Sequence, residues 1–364
     1  MSWTLLVPGA LLPAALAPEI TRALRAPRLA EHLAAARPAA VQAAAERHAG
    51  AAHLSWLAQR YGLPEDLPAA PYAWRAADRD GPAAQPAWVA FCEPVHVLVG
   101  RERLRLLALA PEALQPDEDA ALLALANEAA AGSAALGLRF ERRGGRWYAG
   151  ASAPLRLDTW PLEAVLGRSL AERQPGGAQA RAWRVLSNEI QMMWHASAVN
   201  EAREARGART ANALWLHGGG AWRALPAHGL DWLRTDALPG LDGVLQGWHA
   251  AGASTAAVGG LAVHGGLFAA WASQDWDAWL AAVPAWEGFL EQELARARAA
   301  GAGQIELVLG GTEQTRSLRL PLRAPWWQRW RPAGEGAGLA QRLAEAAADA
   351  GAGRTGTALA AHGA

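Results

Sequence analysis

The sequence predicts an α/β protein with a mixed sheet core and a central α+β module. Three observations predict it. A valine-rich, alternating run at residues 87–109 interrupts alanine-rich helical stretches. Apolar strands alternate with helices along the C-terminal third. Three of those strands, in 212–220 (NALWLHGGG), 258–266 (VGGLAVHGG) and 305–311 (IELVLGG), run into adjacent glycines. With 364 residues, 52% of them hydrophobic, the chain exceeds one average domain. The expected organisation is an N-terminal α/β part (1–86), the central module (87–220), a C-terminal α/β part packing with the N-terminal one (221–331), and a mobile tail (332–364).

In chain order, Trp3 to Val7 reads as a buried strand. Pro8-Gly9 and Pro13 break the apolar run, and no basic residue precedes it, so it does not read as a signal peptide. Helical stretches follow at 17–36 and 39–60, with Pro27 and Pro38 as breaks. Residues 63–86, dense in Pro, Asp and Gly, read as a long connecting loop. Two strands fold around Gly100. Asp117, Glu118 and Asp119 then open a helix at its positive end, a capping role rather than a metal cluster. Gly144-Gly145 turns a hairpin. Trp183, Leu186, Ile190, Met193 and Trp194 form the apolar stripe of a helix over 181–195. A further helix spans 274–299 and stops at Gly301. A short helix is expected near 339–348.

Composition narrows the chemistry. The 34 basic residues balance 34 acidic ones, which removes the electrostatic case for nucleic acid or an anionic membrane. All the basic residues are arginines, so no lysine Schiff base, lysine general base or Walker-type phosphate loop exists. Cys92 is alone, which excludes an intrachain disulfide, and on one strand it stands too far from His96 to form a nucleophile pair. His217, His228, His249 and His264 lack the spacing of a compact metal site. No apolar run is long enough to span a bilayer, so the cytoplasm is the expected location.

The candidate ligand-binding residues concentrate in 186–220. Gln191 and His195 are an i, i+4 pair on the polar side of their helix, beside Asn188; the alternative is a solvated amphipathic face. Asn200 and Arg203 sit three apart, an arginine fork and an amide suited to a carboxylate or phosphate. The alternative pairs Arg203 with Glu189 or Glu204 and uses Asn200 as a cap. Gly218, Gly219 and Gly220 either bring backbone N–H groups to an anion or make a tight turn beside tryptophans. With Asn212, the pocket expected is a glycine rim holding a small anionic or phosphorylated metabolite. Residues 314–334 carry Arg316, Arg319, Arg323, Arg329 and Arg331 with Trp326, Trp327 and Trp330. That pattern suits a protein partner or single strands, or else indoles stacked by arginine in the core.

The block Asn188-Glu189-Ile190-Gln191-Met192, Asn200, Arg203, Gly207, Asn212, Trp215 and Gly218-Gly219-Gly220 resembles two related groups. The nearer is a proteobacterial family of RpfE-type regulatory proteins, which Glu93-Pro94-Val95-His96 and Arg146-Trp147-Tyr148 also resemble. The farther is the archaeal-type cofactor-independent phosphoglycerate mutases, of distantly alkaline-phosphatase-like fold. The resemblance implies a mutase-like protein in a regulatory role. Two departures point away from catalysis. Where both groups carry His-Pro-Val-Asn, this chain has Ser197-Ala198-Val199-Asn200. Where the mutases present an Asp-Gly metal ligand, the first strand here ends Leu6-Val7-Pro8-Gly9. The expectation is a non-catalytic, anion-sensing relative without cofactor; Mn or Zn belongs only to the alternative, an active mutase or phosphatase. An interaction module built on the Arg/Trp segment is the third reading.

Overall fold

Two sheets organise the chain in the computed structural model, which describes residues 2–64, 68–77, 85–100, 104–109, 114–133, 135–166, 168–170, 173–237, 241–253, 259–322 and 337–345. The N-terminal part supplies β1 (Ser2–Val7), α1 (Ala17–Ala23), α2 (Pro27–Ala35), β2 (Arg37–Ala43), α3 (Ala52–Tyr61) and α4 (Ala70–Ala76). Next come β3 (Trp88–Val99), β4 (Leu104–Ala108), α5 (Pro116–Gly132), β5 (Leu138–Arg143) and β6 (Arg146–Ala151). They are followed by α6 (Leu162–Val165), α7 (Ala180–His195), α8 (Ala198–Ala205) and β7 (Ala213–Gly220). The C-terminal part has β8 (Leu230–Asp236), α9 (Asp242–Ala251), β9 (Gly259–His264) and α10 (Phe268–Ser273). It ends with α11 (Trp276–Ala299), β10 (Gln304–Gly310), β11 (Gln314–Pro321) and α12 (Ala337–Leu343).

The first sheet is mixed, in the order β2-β11-β10-β1-β9-β8. β8, β9, β1 and β10 run parallel, while β11 is antiparallel to both of its neighbours. The fold is therefore α/β with a mixed sheet. Parallel strands are covered on both faces. Leu5, Val7, Leu307 and Leu309 bury one face of this sheet against α1, α2 and α11, whereas Leu6, Leu261, Val263 and Val308 face the opposite layer. Each such fully buried aliphatic contributes about 1.5–3 kcal/mol. α11 is tied to the sheet through Glu293, whose buried carboxylate accepts from Trp3 Nε1 (3.0 Å) and Arg234 Nη2 (2.7 Å). Gly260 is required on β9, because a Cβ there would lie 1.7 Å from the indole of Trp232.

The second sheet holds β4, β3, β6, β5 and β7, all within residues 88–220. β3 serves both edges. β6 pairs with its first half and β4 with its second, while β7 runs along the other edge from Val89 to Val95. Pro94 falls between the β6 and β4 pairings, so its missing N–H costs no hydrogen bond on that edge. Residues alternate along β3: Trp88, Ala90 and Cys92 face α5 and α7, and Val89 and Phe91 face α4 and α9. The layer holding α3, α4 and α9 is shared by the two sheets.

Three local expectations are corrected. The helix expected over 39–60 is instead the edge strand β2 and the shorter α3. Pairing with β11 overrides the high helix propensity of its alanines, and the register shift opposite Ser317/Leu318 accommodates Pro38. The loop expected over 63–86 contains α4, with Pro71 in its first turn, where proline favours a helix start. The helix placed in a mobile tail is docked as α12, with Leu343 fully buried. Residues 332–336 and 346–364 of that tail, like Arg323, Trp326, Trp327, Arg329, Trp330 and Arg331, lie outside the described residues.

Candidate anion-binding site

The sequence-predicted pocket does not assemble. Asn188, Gln191 and His195 lie on the solvent face of α7, whose apolar stripe is buried. Asn200, Arg203 and Asn212 are turned inward, and their polar atoms serve the fold. Asn200 donates from Nδ2 to the carbonyls of Trp194 and Ala211 (2.8 Å each) and accepts the Ala211 N–H (3.0 Å). Ser197, not Asn200, caps α8. Arg203 pairs with neither Glu189 nor Glu204 but with Glu118, while its Nε donates to the Arg209 carbonyl (2.7 Å). Asn212 imitates a strand neighbour, accepting from Val97 N (2.6 Å) and donating to Val97 O (3.0 Å).

The triple glycine is a packing device. A Cβ on Gly219 would lie 2.4 Å from Trp88, one on Gly220 2.9 Å from Pro68, and Gly218 has φ +61° with Ala69 and Phe91 close by. Only two of the three glycine-ended strands share a rim. β9 and β10 lie in the first sheet with parallel ends, whereas β7 belongs to the other sheet. The cluster Asp117–Asp119 caps as expected, for Glu118 accepts the Gln115 N–H in a capping box.

Where the two sheets face each other, Glu93, Arg146 and His217 meet. Arg146 hydrogen-bonds Glu93 and stacks over Phe91, 3.6 Å from its ring centre, and His217 Nε2 is 3.6 Å from Glu93 Oε1. Burial opposes the charge on Glu93, but Arg146 and His217 overcome it and hold the carboxyl down to about 2. The adjoining cavity, lined by Leu54, Phe91, His217 and Trp248, is about 20 Å³. That is the size of one water, too small for a metabolite.

A larger cleft of about 380 Å³ opens beyond the C-terminal ends of the parallel strands, the place where open α/β sheets bind ligands. One wall comes from segments following β1, β9 and β10: Pro13, Trp271 to Gln274, Trp276 and Thr312. The other comes from β4, α6 and the approach to β7: Arg105, Leu106, Glu163, Arg168 and Arg209. Arg105 and Arg209 are exposed, and among the described residues neither has a carboxylate at ion-pair distance. Arg168 lies against Gly50, 2.7 Å from where a Cβ would stand, and 3.9 Å from Glu313. Burial lowers its pKa against the charge of Glu313, yet a guanidinium stays protonated. Gln274 holds a left-handed backbone (φ +59°) at the rim.

The floor near β1 is closed by indoles. Trp271 Nε1 donates to Leu11 O (2.7 Å) and Trp279 Nε1 to Gly9 O (2.8 Å). Nearby, buried His264 bonds Asp236 (2.8 Å), with burial lowering its pKa against that carboxylate. Among the described residues no three His, Cys, Asp or Glu side chains gather as a metal-holding group. His228 and His249 stack on each other, 4.9 Å between ring centres. No described helix is long and apolar enough to cross a membrane.

Sequence reasoning missed Arg105, Arg168, Arg209 and Gln274. Each lies on a different segment, and no spacing links them; only the expected convergence of strand ends pointed to this edge. No protein-family model and no curated protein matches the chain. Among solved structures it is similar to the PH0037 protein from Pyrococcus horikoshii, with 11% identity, 88% of this chain and 87% of that one covered, and a TM-score of 0.42. It is also similar to the cofactor-independent phosphoglycerate mutase from Thermoplasma acidophilum DSM 1728, with 13% identity, coverage of 88% and 89%, and a TM-score of 0.34. Both likenesses span nearly nine-tenths of the chain, and neither assigns it an activity.

Proposed function

We propose that the protein binds a small multivalent anion in the arginine-lined cleft, in a sensing rather than a catalytic role. The observation that carries the reading is the convergence of Arg105, Arg168 and Arg209 on one cleft, two of them without a carboxylate partner among the described residues. Guanidinium forks recognise phosphate and carboxylate, and Thr312 and Ser273 add hydroxyls. Arginine supplies no general base. Among the described residues lining the cleft there is no histidine to activate either hydroxyl, and the one carboxylate is that of Glu163. The ligand class follows from the cationic lining, and a regulatory role agrees with the RpfE-type resemblance.

The test is calorimetric titration at low salt with inorganic phosphate, citrate and 3-phosphoglycerate. Saturable binding is expected, weakened about tenfold by Arg105→Ala or Arg209→Ala. Absence of binding, or equal affinity in the double variant, overturns the reading.

A further inference from the structure

The turn between β10 and β11 is a concave row of backbone donors. Its carbonyls are used by the segment leading into α3: Ala44 N donates to Glu313 O (2.7 Å), Gly50 N to Thr312 O (2.8 Å) and Ala52 N to Gly311 O (3.2 Å). The successive N–H groups of Thr312, Glu313 and Gln314 converge on the other side. There they meet the carboxylate of Glu345, at 3.0 Å to Oε2 and at 2.6 and 3.1 Å to Oε1. Consecutive N–H groups arranged this way form an anion-binding concavity. Glu345 is 7% exposed. Gly311 is what lets it approach, since a Cβ there would be 2.7 Å from Oε1.

We propose that this turn is a carboxylate-binding site in its own right, and that Glu345 is its intramolecular ligand. The C-terminal segment then docks by presenting an anion. Among the described residues its other attachments are the packing of Leu339, Leu343 and Ala344 on the core, two backbone hydrogen bonds of Leu12 with Leu343 and Glu345 (2.7 and 2.8 Å), and Arg316 and Arg342 reaching carbonyls. Thr312 belongs both to this site and to the arginine cleft. The proposal goes beyond the cleft reading and does not depend on it. With Glu345 gone, the donors are open to a free carboxylate such as formate.

The test compares melting temperatures of the full chain in sodium formate and in sodium chloride at equal ionic strength. Wild type melts equally in both. Glu345→Ala melts lower in chloride by about 3–6 °C and recovers at least half of the loss in formate. A double Arg105→Ala/Arg209→Ala change, added to it, leaves that recovery intact, which separates this site from the cleft. Wild-type stability in Glu345→Ala, or a folded Glu345→Ala that formate does not raise, overturns the proposal. If Glu345→Ala does not fold, the near-isosteric Glu345→Gln decides. Lowered stability without formate recovery is expected, because the amide still fills the site, and wild-type stability sinks the idea.

Discussion

The guanidinium of Arg203 meets the carboxylate of Glu118 at 2.6 Å, with 2% and 11% of these side chains exposed. The pair joins α8 to the first turn of α5. Removing one partner of a buried pair strands the other charge. Glu118→Ala is expected to cost about 3 kcal/mol, read as a fall in the urea midpoint at unchanged slope. A loss below about 1 kcal/mol contradicts the account.

Glu93 shapes the acid limb of stability. Its folded pKa is about 2, despite burial, because of Arg146 and His217. In the unfolded chain it titrates near ~4.3. Between these values the unfolded state binds more protons, so stability is present above the window and is lost as pH falls from about 4.3 to about 2. Glu93→Gln flattens that part of the curve, which urea unfolding at a series of pH values measures.

His53 acts over a higher window. Burial, and then the neighbouring His48, lower its pKa to about 3. The unfolded imidazole takes its proton near ~6.5, so stability falls as pH drops from there toward about 3. Its Nδ1 has no hydrogen-bond partner among the described residues, and its ring packs on Phe268. His53→Leu is expected to change stability at neutral pH by less than ~1 kcal/mol and to remove this slope.

Gly219 separates packing from ligand binding. Trp88, 3% exposed, stands where an added methyl would go. Gly219→Ala is expected to cost about 2–3 kcal/mol while leaving anion affinity at the cleft unchanged. Stable Gly219→Ala protein with lost anion binding reverses the assignment.

Gln274 pays for its place at the rim with a left-handed backbone. Gln274→Gly is expected to gain about 0.5 kcal/mol, and its lost amide weakens anion binding. Thermal melts and titrations of the same preparation check the two together.

What could be read in advance follows physical range. The alternation along β3, the hairpin at Gly144-Gly145 and the stripe of α7 are local patterns, and all three elements form. β2 was illegible because only β11, far along the chain, makes an alanine-rich segment extended. Asn200 and Arg203 read as ligand-binding residues in the sequence, because sequence does not distinguish an amide that binds ligand from one that brackets Ala211. The cleft arginines escaped notice because convergence of distant loops leaves no spacing to recognise.

The wiring of β1 has a consequence during synthesis. Both of its hydrogen-bonded neighbours, β9 and β10, begin at Gly259 and Gln304. β1 therefore leaves the ribosome well ahead of its partners and waits, apolar and unpaired, until they have been translated. Among the described residues the sheet within 88–220 pairs with no strand outside that range and can close in the meantime. Long-range pairing of this kind is slow and leaves an exposed edge, so a nascent chain arrested near residue 230 should carry a folded middle and an N-terminal strand open to chaperones and proteases.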